Sequence, residues 1–203
     1  MKLIVITTPH FFEGESRILS LLFQEGMEKL HLRKPKSNMD ELRILLEAIP
    51  SEYYPRIVLH DHFGLVPEYK LAGIHLNSRN HTVPEGFKGS ISRSCHSLEE
   101  VQKSRKLDYV FLSPIFQSIS KEGYGCGFPM DVLRQAASDG IINEKVIALG
   151  GMDQSTIPLI EPLNFGGVAI LGALWGNEPS IEHSDSIIKR YKQLNYGNRF
   201  LFT

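Results

Sequence analysis

Eight short apolar, β-branched runs recur at near-regular intervals along this chain, and stretches of helical periodicity separate most of them. The runs span Lys2 to Thr7, Lys29 to Arg33, Arg56 to His60, Gly73 to Leu76, Gly89 to Ser92, Asp108 to Leu112, Lys145 to Leu149 and Gly167 to Leu171. Strands that are apolar nearly throughout are buried on both faces, as in a parallel sheet walled by its crossover helices. Eight such units close naturally into a barrel, so the expected fold is α/β, a single (β/α)8 TIM-barrel domain over residues 1–203. An open doubly wound sheet is the rival, but no strand is followed by G-x-G-x-x-G.

The intervening segments support the alternation. Glu15 to Glu25 carries Ile18, Leu19, Leu21 and Leu22, and Met39 to Ala48 carries Leu42, Leu45 and Leu46 on one side. Ser37, with Asp40 three residues on, resembles a capping box for the second of these. Ser97 to Lys106 and Pro129 to Ser138 continue the pattern, the latter starting on a proline whose missing N–H costs nothing there. Only the gap from Asn77 to Lys88 reads as irregular.

With 22 Lys and Arg against 23 Asp and Glu, the chain has no basic stripe to track a nucleic acid backbone, so no nucleic acid partner is expected. The first apolar run, Leu3 to Ile6, is too short for a leader or a membrane span, which predicts a cytoplasmic protein with no membrane partner. Cys95 and Cys126 fit no zinc pattern and read as free thiols. The aromatic tail from Lys189 to Thr203 either covers the barrel or joins a second copy in a homo-oligomer; the sequence leaves both open.

Barrel enzymes place their chemistry at the C-terminal ends of the strands. At the seventh and eighth ends, Gly150-Gly151 and Leu171-Gly172 let backbone N–H groups approach an anion. Glycine after a strand is also an ordinary turn residue, but here the neighbouring sixth loop adds Ser118, Ser120 and Lys121, and together they suit a phosphate monoester. His96, beside Ser94 and ahead of a Ser97/Glu100 capping box, is placed to shuttle a proton near pH 7. His60 and His62 should share a side by alternation and raise a metal reading, whereas His31 and His75 lie within strands, where barrel filling accounts for them. Arg33, Lys34 and Lys36 form either a solvated loop or the cation site for a second anionic group.

These residues, taken in series, resemble the thiamine phosphate synthase and TenI family. The resemblance runs over roughly Lys2 to Trp175 and rests on HLRKPK (His31 to Lys36), LHD (Leu59 to Asp61), AGIHL (Ala72 to Leu76), SCHSLEE (Ser94 to Glu100), DYVFLSPIF followed by SISK (Asp108 to Lys121), VIALGGM (Val146 to Met152) and GVAILGAL (Gly167 to Leu174). It implies a thiazole phosphate, a small phosphorylated heterocycle, held by Ser118, Ser120, Lys121 and the glycine loops, with Ser94, His60, Arg33 and Lys36 at further substrate positions. The synthase joins that thiazole to a pyrimidine diphosphate with Mg²⁺ on two aspartates. Asp61 matches one of them, the second falls on Asn80, and the asparagine usual before the first is His60. A neutral amide in place of a carboxylate weakens a hard-cation site. The pattern is therefore similar to the TenI branch, a thiazole tautomerase needing no metal, with His96 as general acid and base. The alternatives are a Mg²⁺-dependent synthase using Asp61 and, in another class, a non-catalytic regulatory barrel that binds a phosphate ligand.

Overall fold

The structure is a computed structural model and describes residues 1–116 and 127–197. Eight parallel strands close in sequence order: β1 (Lys2–Ile6), β2 (Lys29–Leu32), β3 (Ile57–Leu59), β4 (Gly73–Leu76), β5 (Ser90–Cys95), β6 (Tyr109–Leu112), β7 (Val146–Leu149) and β8 (Gly167–Ile170), with β8 pairing back onto β1. Each strand lies within a residue or two of its apolar run, except β5. That strand continues to Cys95, which places Ser94 inside the barrel wall rather than in a loop.

Alternation sorts the side chains of every strand. Leu30 and Leu32, Val110 and Leu112, and Val168 and Ile170 face outward into the shell between sheet and helices, while Ile4, Ile6, Tyr109, Phe111, Ile147 and Ala169 fill the inside. The outer shell is completed by helices α1 (Glu15–Gln24), α2 (Met39–Glu47), α3 (Leu65–Tyr69), α4 (Leu98–Lys103), α5 (Met130–Ser138), α6 (Ile157–Ile160), α7 (Gly172–Trp175) and α8 (Ser184–Gly197). Helix α1, for example, buries Ile18, Leu19, Leu22 and Phe23 at helical spacing. No helix joins β4 to β5, in line with the irregular reading of that segment.

Two local expectations shift. The capping box of α2 sits one residue later than Ser37 and Asp40: Asn38 accepts from the Glu41 N–H at 2.9 Å and the Glu41 carboxylate accepts from the Asn38 N–H at 2.8 Å. Ser37 instead donates to the Lys34 carbonyl at 2.8 Å, closing the turn before the helix. Pro129 is the N-cap of α5, in extended backbone, not its first helical residue. No described helix is long and apolar enough to cross a membrane.

Candidate active site at the barrel mouth

The mouth divides into two sides. On the first, strand register carries Cys95 beside Leu112 and Leu112 beside Ala148, so the residues that follow share one rim. Ser97 caps α4 by accepting from the Glu100 N–H at 3.1 Å, and Glu100 reaches back to the His96 N–H at 2.6 Å, one residue short of the expected box. This fixes the His96 backbone at the rim. The exposed ring donates from Nδ1 to the Ser113 carbonyl at 2.9 Å. A carbonyl only accepts, so Nδ1 carries a proton, and in the neutral ring it is Nε2 that holds the lone pair.

Next along the rim, Gly150 and Gly151 follow β7 with φ of 96° and 64°. A Cβ on Gly150 would lie 2.9 Å from the Pro114 Cα, and one on Gly151 2.7 Å from the Phe116 Cβ, so two independent constraints exclude a side chain. The Ile115 N–H donates to Leu149 O at 2.9 Å and the Phe116 N–H to Gly150 O at 3.1 Å, pinning the β6 loop against the β7 loop. At β8, α7 begins at Gly172 and is moored by the Trp175 indole, which donates to Ile6 O at 2.7 Å. Among the described residues, the N–H groups of Gly150, Gly151, Gly172 and Ala173 find no acceptor, although the strands bearing them are paired. Unpaired N–H groups gathered at adjacent strand ends are the makings of an anion cradle. Ser118, Ser120 and Lys121, expected to complete it, lie outside the described residues, as do Cys126 and the end of the aromatic tail.

The second side carries charge. Asp61, at the end of β3, accepts from Arg79 at 3.2 Å and from the Asn80 amide at 2.9 Å. Asn77 and Asn80 both donate to the His60 carbonyl, at 2.8 and 3.1 Å, locking the loop after β4 onto β3. The half-buried Arg33 guanidinium is held below its ordinary range by desolvation and then by Arg79, with Asp61 pulling the other way. A Mg²⁺ ion wants several anionic oxygens. Here one carboxylate is already engaged by a guanidinium, and its neighbour is an amide whose N–H₂ points at it. The residues present do not fit a Mg²⁺ site. Lys34 also departs from the basic-loop expectation. Its ammonium is fully buried, 2.6 Å from Glu15 and 2.8 Å from the His10 carbonyl, whereas Lys36 is exposed. Burial pushes Glu15 up and Lys34 down, each restrained by the other.

Between the two sides, the barrel floor is built of imidazole. His31 Nδ1 is 2.9 Å from His60 Nε2, and His31 Nε2 is 2.8 Å from the Tyr109 hydroxyl. His75 bonds Ser92 through Nδ1 and Ser94 through Nε2, both at 2.9 Å. Because Ser92 donates to the Ile74 carbonyl at 3.2 Å, it accepts from His75 Nδ1–H, and Ser94 donates to Nε2. Desolvation holds all three histidines below their ordinary range, His75 down to about 3, so the rings are neutral. His62, expected beside His60, turns away through a positive φ of 54° and donates to the Ser37 carbonyl at 2.8 Å. Its place is taken by His31 and His75, which sequence reasoning assigned to filling. Arg79, Tyr109 and Ser92 were not singled out either. For Arg79 the available signal was a lone cation between Asn77 and Asn80, opposite Asp61.

Comparison with known proteins finds relatives over most of the chain. A 24% identical relative, the thiamine-phosphate synthase of Actinobacillus succinogenes, aligns over 79% of this chain and 75% of its own length. That of Dictyoglomus turgidum is 26% identical over 73% and 70%. Among solved structures, a thiamine phosphate pyrophosphorylase from Bacteroides thetaiotaomicron superposes with a TM-score of 0.90 at 40% identity, covering 100% of both chains. One from Pyrococcus furiosus, at 19% identity and a TM-score of 0.70 over 95% and 96% of the two chains, shares the fold. The TMP-TENI family pattern, described as thiamine monophosphate synthase, matches residues 3–174, and the chain belongs to that family.

Proposed function

We propose that this protein acts in thiamine biosynthesis on a thiazole phosphate and that its reaction is a proton-transfer isomerisation of the ring. The observation that carries the choice of chemistry is the state of Asp61, whose carboxylate is bonded by Arg79 and Asn80 where a synthase would need paired anionic ligands for a metal. In this reading the free N–H groups of Gly150, Gly151, Gly172 and Ala173 hold the phosphate, with Ser118, Ser120 and Lys121 joining them. His96 Nε2 removes a proton from the ring and returns one at the exocyclic carbon, so nothing is gained or lost overall. The Ser113 carbonyl keeps Nδ1 protonated and the lone pair in place. Ser94 and His60, with Arg33 and Lys36 at the rim, supply polar contacts to the rest of the substrate.

A second reading has its own support. The relatives are named thiamine-phosphate synthases, and those names favour the transferase over the isomerase. One experiment separates the two. The protein is supplied either with carboxythiazole phosphate alone, or with thiazole phosphate, a pyrimidine diphosphate and Mg²⁺. Isomerisation of the first substrate without metal, cut about 10²- to 10⁴-fold in His96→Ala with ligand affinity retained, is the expected result. Pyrophosphate release from the second mixture at a faster turnover overturns the isomerase in favour of the synthase. Ligand binding with no turnover in either mixture leaves a regulatory barrel.

A further inference from the structure

We propose that His31, His60 and His75 form a binding site for a first-row transition metal ion of imidazole preference, such as zinc or cobalt(II), inside the barrel beneath the mouth. One ring nitrogen from each histidine lies within 4.8 Å of the other two, and all three side chains are buried. Three imidazoles with an open fourth position are a donor set typical of zinc, whereas Mg²⁺ and Ca²⁺ take oxygen.

The surroundings of the rings are those of ligands held from behind. His31 Nε2 is held by the Tyr109 hydroxyl, and His75 Nδ1–H donates to Ser92, which turns His31 Nδ1 and His75 Nε2 inward. Such anchoring of the outer nitrogen is what fixes tautomer and orientation in metal-bound histidines. His60, only 4% exposed, has no hydrogen-bond partner for Nδ1 among the described residues, so one ring nitrogen of the cluster is already unclaimed. Each neutral imidazole keeps one N–H and offers one lone pair, and the ion binds without releasing a proton.

Binding rearranges two contacts. The ion takes the place of the His31–His60 hydrogen bond, with the His60 proton carried on Nδ1 so that Nε2 faces the metal; the 2.9 Å N···N separation then opens by a few tenths of an ångström toward the ~3.3 Å between ligands on a tetrahedral ion with ~2.0–2.1 Å bonds. It also takes His75 Nε2 from Ser94, whose hydroxyl is then free beside the open position. The His60 and His75 rings, stacked with centroids 4.2 Å apart, turn to converge. Arg33 and Arg79 oppose any cation here, so the affinity must come from the preference of the metal for nitrogen, not from charge.

The test uses the full chain, stripped with a chelator and titrated with cobalt(II). The expected result is one equivalent bound with intense visible ligand-field bands, and a melting temperature raised by cobalt. Ser92→Ala should weaken binding about 10- to 100-fold, and Asp61→Asn should leave it intact. His60→Asn, checked for folding by circular dichroism, should abolish the bands. The wild-type spectrum decides without any variant: cobalt that stays octahedral and pale overturns the proposal, as do bands that persist in folded His60→Asn or vanish in Asp61→Asn.

Discussion

The inside of the barrel is two half-barrels built on different principles. Strands β1, β6, β7 and β8 fill their half with Ile4, Ile6, Phe111, Ile147 and Ala169, a dry core that asks for nothing but packing. Strands β2 to β5 fill theirs with His31, His60, His75, Ser92 and Ser94, buried polar groups held by one another. Phe111 and Tyr109 lie on the seam: Phe111 packs its face against His31 and His75, centroids 4.6 Å away, while Tyr109 sends its hydroxyl across. The rim repeats the division. Backbone N–H groups collect above the dry half, and charged side chains, Arg33, Asp61 and Arg79, above the wet one. A barrel floor of neutral imidazoles is stable only while it stays neutral, whereas an apolar floor has no such condition.

Acid should therefore break one half first. An unfolded histidine takes up a proton near pH 6.5, while the buried rings resist it, so the unfolded state binds more protons as pH falls and stability declines. Each ring contributes a slope of about 1.4 kcal/mol per pH unit, and three together about 4. The loss begins as pH drops through 6.5, and the His75 share continues to about 3. Denaturant titrations at stepped pH measure it; stability that stays level from 6.5 to 5 would show that the rings protonate in place. Phe111→Ala is the counterpart for the dry half and should cost about 3–5 kcal/mol. The buried rings are neutral at pH 8 and at pH 7, so the loss should be nearly the same at both. A steep difference between those values would mean that the wet half had been opened as well.

The eight strands were legible because hydrophobic periodicity is a local signal, and closure followed from counting. The glycine turn after β7 was legible too, since a φ of 96° at Gly150 is one that side chains rarely adopt. The histidine cluster was not. Its members come from three strands, and His60 was paired by simple alternation with His62, whose φ of 54° takes it off the strand and over to Ser37. The burial of Lys34 was hidden for a similar reason: in HLRKPK it reads as one of three cations, and only the fold supplies Glu15 as its partner. Partnerships between residues far apart in the chain leave no trace in local spacing, and most of the wet half is made of them.

The smallest of these effects should come from Gly150→Ala, and it sharpens the division at the rim. The substitution places a Cβ 2.9–3.0 Å from Pro114 in backbone with φ of 96°, at a cost of about 1–2 kcal/mol from the left-handed conformation, plus whatever shift relieves the contact. Moving the β7 loop tilts the Gly150 and Gly151 N–H groups together, so affinity for a phosphate ligand should fall. The acid sensitivity of the wild type should be unchanged, because the histidines sit on other strands. Calorimetry with inorganic phosphate and with a phosphorylated thiazole, alongside the stepped-pH titration, reads both quantities on one protein. Undiminished affinity would remove the glycine loops from the anion cradle, and an altered acid slope would mean that the halves of the barrel are coupled through Phe111, which touches both.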